Sequence, residues 1–204
     1  MNAKEYLADP CKASSLPFWK AETINIPDHM KVLRDDEFSN CKYDGFDDQY
    51  FRLIHDLKNL KEAVLPDRFE LVQCEEKSFV EHINSCYEHE HMSIKEMLAY
   101  KSHPVYDPDL WVSVIESDSK KIVATGIAEL DTRIGEGVLE WIQVSSDYRK
   151  LGLGKYIVCE LLIRLENKAD FVTVSGRVAN KSNPYALYKS CGFVNPVIWH
   201  VVTT

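Results

Sequence analysis

Apolar positions along this chain follow two periods, and the switches between them mark its elements. The stretch "FELVQC", from Phe69 to Cys74, reads as a strand. "DLWVSVIES" and "KIVATGIAELD" read as two more, joined by the polar turn "SDSK". "VLEWIQV" adds a strand over 138–144, and "FVTVSGRV" and the terminal "VIWHVV" add two further ones. Helical spacing governs other segments. Leu153, Ile157, Val158, Leu161, Leu162 and Leu165 form one apolar stripe, which predicts a helix over 152–167. Phe46, Tyr50, Leu53, Ile54, Leu57 and Leu60 also follow helical spacing, so a helix is expected over 46–60, with Pro66 ending the pattern. Ser78 with Glu81, and Ser93 with Glu96, carry the capping-box signature and predict two helix starts. Asn183, Pro184 and Gly192 read as the cap, the first residue and the residue past the end of a short helix.

From Phe69 onward the expected order is strand, two helices, three strands, helix, strand, helix, strand. The hairpin-like turn inside that order makes the sheet mixed rather than all parallel, and the class α/β in the α+β sense. Residues 1–43 show no sustained period. Their "DPCKASSLPFWKAETINIPDHM" is too hydrophobic to read as disorder, and Leu16, Phe18 and Trp19 are expected to anchor the segment on a body elsewhere.

Composition narrows the function. At 204 residues and 45% hydrophobic content, the chain can fill one sizeable core. A formal net charge of -8 argues against a general nucleic-acid binder, which would show a basic face. "MNAKEYLADPCK" holds no apolar run of signal-peptide length, and no stretch is long and apolar enough to span a bilayer. A soluble cytoplasmic protein without a membrane partner is therefore expected. The six cysteines form no C-x-x-C pair and read as reduced thiols. On a helix, His82, Cys86 and His89 would share one face and could ligate zinc. A fourth ligand is not evident, although Glu90 and His91 are near, and no metal is expected.

The concentrated chemistry lies in "VSSDYRKLGLGKYIV", residues 144–158. A glycine-rich turn between a strand and a helix exposes backbone N–H groups, and the helix N-terminus adds partial positive charge. Arg149, Lys150 and Lys155 add full charges, opposed nearby only by Asp147. Such a turn suits phosphate. A P-loop fails twice here, since Arg149 stands where its first glycine belongs and Tyr156 follows Lys155. The dinucleotide fingerprint fits Gly152 and Gly154 but then meets Ile157. The pattern Arg-x-x-Gly-x-Gly is matched in full by Arg149, Gly152 and Gly154; a plain strand–helix turn that happens to hold glycines is the bland alternative.

This stretch resembles the acetyl-CoA pyrophosphate loop of the GNAT N-acetyltransferase superfamily. "NPYALYKSCGFV" is similar to a second signature of that superfamily, a short helix ending in Tyr-x-x-x-Gly-Phe, here Tyr188, Gly192 and Phe193. The spacing of the two motifs and the element order from Phe69 to the C-terminus fit as well. The resemblance implies a central mixed, mostly antiparallel twisted sheet flanked by helices over 66–204, with 1–65 as an N-terminal extension outside the common core. It implies a cofactor loop made of Arg149, Lys150, Leu151, Gly152, Leu153, Gly154 and Lys155, whose amides hold the CoA pyrophosphate. Ile142 and Val144 would pair with the pantetheine arm, and an amide near Val144 would polarise the thioester carbonyl. Tyr188 matches the tyrosine that protonates the departing thiolate; packing of its ring in the core is the alternative role.

The alternation in "VLEWIQV" puts Val138, Glu140, Ile142 and Val144 on one strand face, so Glu140 is a carboxylate among apolar neighbours and the candidate base. An ion pair with Arg133 or Arg177 is its structural alternative, and Glu129 is a second candidate base. Where members often carry an Asn seven residues before the tyrosine, this chain has Lys181, flanked by Asn180 and Asn183 as substitutes. The expected activity is transfer of an acetyl group from acetyl-CoA to a primary amine. A non-catalytic acyl-CoA sensor is the competing reading, and a longer acyl donor is a third. The acceptor stays open among polyamine, aminoglycoside, amino acid and protein amines; the acidic loop "YEHEHMS" would suit a cationic one. The N-terminal arm could line the acceptor site, cover the sheet or join a homodimer.

Overall fold

The computed structural model describes residues 1–39, 43, 45–87 and 91–204. In chain order its elements are α1 (Ala3–Ala8), α2 (Pro10–Ala13), α3 (Phe18–Thr23), β1 (Met30–Arg34), α4 (Asp35–Phe38), β2 (Phe46–His55), β3 (Phe69–Val72), α5 (Glu76–Cys86) and α6 (Ile94–Lys101). Next come β4 (Trp111–Glu116), β5 (Ile122–Asp131), β6 (Glu136–Val144), α7 (Leu153–Leu165), β7 (Phe171–Arg177), α8 (Pro184–Cys191) and β8 (Val194–Thr203). The chain is mixed α/β, with mostly antiparallel sheet flanked by helices. Its contacts divide into two units, residues 1–56 with 171–204, and residues 57–170.

In the first unit the strand order is β1-β8-β2-β7, and its ladders are antiparallel. Residues 46–55 are a strand here, and the helix expected over 46–60 does not form. The reason is tertiary. β2 has a hydrogen-bonded neighbour on each side, with Tyr50 opposite both Arg177 and Trp199. Its inner residues Phe51, Arg52 and Leu53 are all buried, so the alternation that announces a half-exposed strand is lost. Past it, Leu57 and Asn59 adopt positive φ, which a helix excludes. Arg52 is 1% exposed and donates to Tyr6 Oη at 2.7 Å, Thr173 Oγ1 at 3.0 Å and the Ser15 carbonyl at 3.1 Å. These bonds tie the N-terminal helices to β2 and β7. Trp199 Nε1 donates to the Cys11 carbonyl at 2.9 Å, and Phe18 is buried, as an anchor should be. His200 lies between Asp47 and Asp35, 2.9 and 3.1 Å from their carboxylates, and stacks on Phe38.

In the second unit β3, β4, β5 and β6 follow one another as antiparallel neighbours. Helices α5 and α6 cover one side with Phe79, Val80, Ile83, Met92 and Met97, packed around Ile127 of β5. α7 packs on β5 and β6 through its buried stripe of Leu153, Ile157, Val158, Leu161, Leu162 and Leu165. Gly126 makes that approach possible. A Cβ there would stand 2.4 Å from Ile157 Cγ2 and 2.9 Å from Ile142 Cδ1. The Ser93–Glu96 capping box is present, with both reciprocal bonds. The one expected at Ser78 is not. α5 begins earlier, at Glu76, so Ser78 is already inside the helix and its hydroxyl has no cap position to fill.

Candidate functional site

β6 does not keep strict alternation. Gln143 faces Thr125 and Glu140 faces Ile127, so Trp141 and Ile142 together oppose Gly126. This is a β-bulge, and Trp141 adopts φ +50 within it, an uncommon conformation for a bulky residue. The extra residue shifts the pleat. Val138, Glu140 and Gln143 share the side of Ile127, which is covered by α5 and α6. Ile142 instead reaches the Gly126 side, toward Ile157 of α7. The single face expected for Val138, Glu140, Ile142 and Val144 is therefore split at the bulge. Glu140 keeps an apolar partner opposite it in Ile127. Arg133 pairs with Asp131 at 2.7 Å and Arg177 with Asp48 at 2.8 Å. Glu129 is buried on β5, opposite Val138.

Beyond Val144 the chain enters a short turn at Ser146–Tyr148, closed by the Tyr148 N–H on the Ser145 carbonyl at 2.9 Å. Tyr148 Oη donates to Glu116 at 2.9 Å, which fixes the turn to the end of β4. Arg149 Nε donates to the Val144 carbonyl at 3.3 Å. Lys150 and Gly152 then both take positive φ, +62 and +86. Space around Gly152 is open, with nothing within 4 Å of where a Cβ would stand. Gly152 also caps α7, which has no side-chain cap bond and no acidic residue in its first turn. The first amides of a thirteen-residue helix thus stay without a side-chain acceptor, beside the exposed Arg149, Lys150 and Lys155. Leu151 is exposed while Leu153 is buried, locking the helix start onto the core. Unsatisfied N–H groups, a helix dipole and three cations make a receptor for a polyanion.

Tyr188, Asn180 and Asn183 belong to the first unit. Tyr188 lies on α8, 6% exposed, with its ring edge-on to Phe51 and Phe193. Asn183 caps α8 by accepting from the Ala186 N–H at 3.2 Å, and Gly192 ends it at φ +110. Asn180 Oδ1 accepts from the N–H and the hydroxyl of Ser182, at 2.9 and 2.7 Å. Both asparagine side chains therefore hold local backbone in this structure.

Both ring nitrogens of His82 meet hydroxyl oxygens in this arrangement. Its Nδ1 lies 2.8 Å from Thr125 Oγ1 and its Nε2 3.1 Å from Ser145 Oγ. Burial pushes the imidazole down to about 4, so it is neutral near pH 7. Cys86 Sγ sits 3.7 Å from Nε2, and burial raises that thiol. His89 and Glu90 lie outside the described residues, and among the described residues no group of three His, Cys, Asp or Glu side chains could hold a metal. Among the described residues no cysteine is in a disulfide; Cys41 lies outside them. Among the described residues no helix is long and apolar enough to cross a membrane.

Residues 108–195, which contain the bulged strand, the loop and α8, match the family model of the acetyltransferase (GNAT) domain. That stretch is therefore similar to a GNAT acetyltransferase domain. The fold of the chain is similar to that of a GCN5-related N-acetyltransferase from Sphaerobacter thermophilus, with a TM-score of 0.70 at 15% identity over 85% of this chain and 59% of that one. A GNAT-family acetyltransferase from Colwellia psychrerythraea gives 0.59 at 12% identity, over 85% and 64%. The ribosomal-protein-S18-alanine N-acetyltransferase of Escherichia coli gives 0.52 at 19% identity, over 66% of this chain and 93% of that one. The chain spans 59% of the Sphaerobacter protein and 54% of a Drosophila protein of similar fold. No curated protein sequence matches it.

Proposed function

We propose that this chain is a GNAT acetyltransferase that transfers an acetyl group from acetyl-CoA to a primary amine by direct attack. The observation that carries the reading is the loop at 149–155, where a helix start without a side-chain cap bond, an open Gly152 at φ +86 and three exposed cations converge. The amides at the start of α7 bind the pyrophosphate, and Arg149, Lys150 and Lys155 neutralise its charge. Gly152 leaves the backbone bare, so phosphate oxygens can approach the N–H groups. Acetyl-CoA supplies an activated carbonyl carbon on a thioester.

Ile142 and Val144 offer backbone groups to the pantetheine arm beyond the bulge. Arg149 Nε already donates to the Val144 carbonyl, whose second lone pair can accept from the arm. The Val144 amide stabilises negative charge as it develops on the carbonyl oxygen. Glu140 removes a proton from the acceptor amine, directly or through water, since an ammonium has no lone pair with which to attack. As the new C–N bond forms and the C–S bond breaks, Tyr188 gives its phenolic proton to the thiolate. That assignment rests on the Tyr188, Gly192, Phe193 motif.

Calorimetric titration with acetyl-CoA, with ATP and NAD as controls, is the decisive test. Saturable binding of acetyl-CoA alone is expected, followed by thiol release when a panel of amines is added. Tight binding without thiol release from any amine would favour the acyl-CoA sensor. Folded protein that does not bind acetyl-CoA would overturn the proposal.

A further inference from the structure

The cofactor loop reading leaves one buried polar cluster without a role. Gln143, Thr125 and His82 are all buried, at 6%, 0% and 5% exposure. Gln143 Nε2 donates to Thr125 Oγ1. The hydroxyl is then free to send its own proton to His82 Nδ1, 2.8 Å away. An imidazole that accepts at Nδ1 and is neutral carries its proton on Nε2, which donates to Ser145 Oγ at 3.1 Å. With Thr125 as the donor to Nδ1, hydrogen bonds run from Gln143 through Thr125 and His82 to Ser145, and the Val123 carbonyl is a second acceptor beside the ring.

The far end of this chain is the first residue of the loop. Ser145 is held three times. Its N–H donates to the Val123 carbonyl at 2.9 Å, its carbonyl closes the Ser146–Tyr148 turn, and its hydroxyl takes the His82 proton. His82 stands on α5, whose end continues into Tyr87, and the Tyr87 ring packs edge-on against Trp141 at the bulge, 5.9 Å between centroids. One imidazole therefore joins α5 to the strand end from which Arg149 and Gly152 are set.

We propose that His82 is a positioning residue for the donor, fixing Ser145 and through it the geometry of the pyrophosphate loop. The inference rests on the loop reading above and deepens it. A neutral ring suits the task, because a histidine protonated on both nitrogens would turn Nδ1 from an acceptor into a donor and reverse the Thr125 hydroxyl. Loss of the ring would let the loop sample conformations in which its amides no longer converge, so a pyrophosphate-bearing donor would lose affinity. A donor fragment that lacks the pyrophosphate would not.

The test measures acetyl-CoA affinity by calorimetry for the natural chain and for His82→Ala, Ser145→Ala and the double variant, alongside turnover with S-acetylpantetheine. Circular dichroism and thermal melts identify variants that keep their fold. Each single substitution should weaken acetyl-CoA by about tenfold, the scale of one partly buried hydrogen bond. The double variant should be no weaker than the poorer single one, because both act through the same bond. His82→Gln, which can still donate toward Ser145, should recover most of the affinity. S-acetylpantetheine turnover should stay within about threefold throughout. Equal acetyl-CoA affinity in all folded variants would overturn the inference, as would additive losses or an equal loss with S-acetylpantetheine. If the natural chain itself does not bind acetyl-CoA, the cofactor reading fails first, and that outcome is distinct from all of these. If His82→Ala does not fold, the Ser145→Ala and His82→Gln measurements decide alone.

Discussion

Acidification should unfold this protein partly through a single histidine. The His82 ring is buried and its pKa falls from 6.5 to about 4, chiefly because burial disfavours the charged form, with Lys121 adding to the effect and the Val123 carbonyl opposing it. In the unfolded chain the ring titrates normally. Above about pH 6.5 it is neutral in both states and contributes no pH dependence. Between about pH 6.5 and pH 4 the unfolded chain binds a proton that the folded one refuses, so stability falls as pH falls. Below about pH 4 both states are protonated and the loss levels off at roughly 3 kcal/mol. The ring is only 5% exposed, so solvent screening takes little from that figure. Urea unfolding of the natural chain and of His82→Gln, compared from about pH 7.5 down to pH 4.5, isolates the effect. The natural chain should lose about 2.5 kcal/mol more than the variant across that range. Parallel curves, within about 0.5 kcal/mol, would refute the reasoning and mean that the ring takes up its proton in the folded state without breaking the bonds to Thr125 and Ser145.

Three further perturbations probe other links. Gly126→Ala places a methyl 2.4 Å from Ile157 Cγ2, so it should cost about 2 kcal/mol in urea unfolding and push α7, with the loop it begins, away from β5; unchanged stability would mean that α7 yields freely. Ser93→Ala removes the acceptor for the Glu96 N–H, 3.1 Å away, and should lower stability by about 1 kcal/mol, read as a shifted urea midpoint at constant slope. Tyr188→Phe keeps the ring contacts with Phe51 and Phe193 but deletes the proposed acid; acetyl-CoA affinity should hold while kcat falls about a hundredfold, and full turnover would remove Tyr188 from the proton transfer.

Much of this protein is written in short-range patterns. The strands β3 to β8, the helix α7 and the caps of α6 and α8 follow from periodicity and from residues whose own chemistry sets the backbone, such as Ser93, Asn183, Pro184 and Gly192. The loop is legible for the same reason. Gly152, the lack of an acid in the first turn of α7 and the flanking cations are local facts, and a phosphate receptor at a helix start needs little else. Ser78 is a limit on that logic, because its spacing to Glu81 is right but α5 starts two residues before it.

What tertiary structure alone decided depends on partners distant in sequence. Residues 46–55 have a helical spacing of apolar groups, yet β7 and β8 bond to both of their edges, and those bonds outweigh a weak periodicity. Nothing in "VLEWIQV" announces a bulge at Trp141. It arises because two residues of β6 must share one place opposite Gly126, and it moves Ile142 off the face of Glu140. By helical spacing alone His82 could share a face with Cys86 and His89, a set that carries no metal expectation for want of a fourth ligand. The real partners of His82, Thr125 and Ser145, stand 43 and 63 residues away and meet it only when α5 lies on β5 and β6. Sequence fixes chemistry where neighbours in the chain are neighbours in space, and packing decides it where they are not.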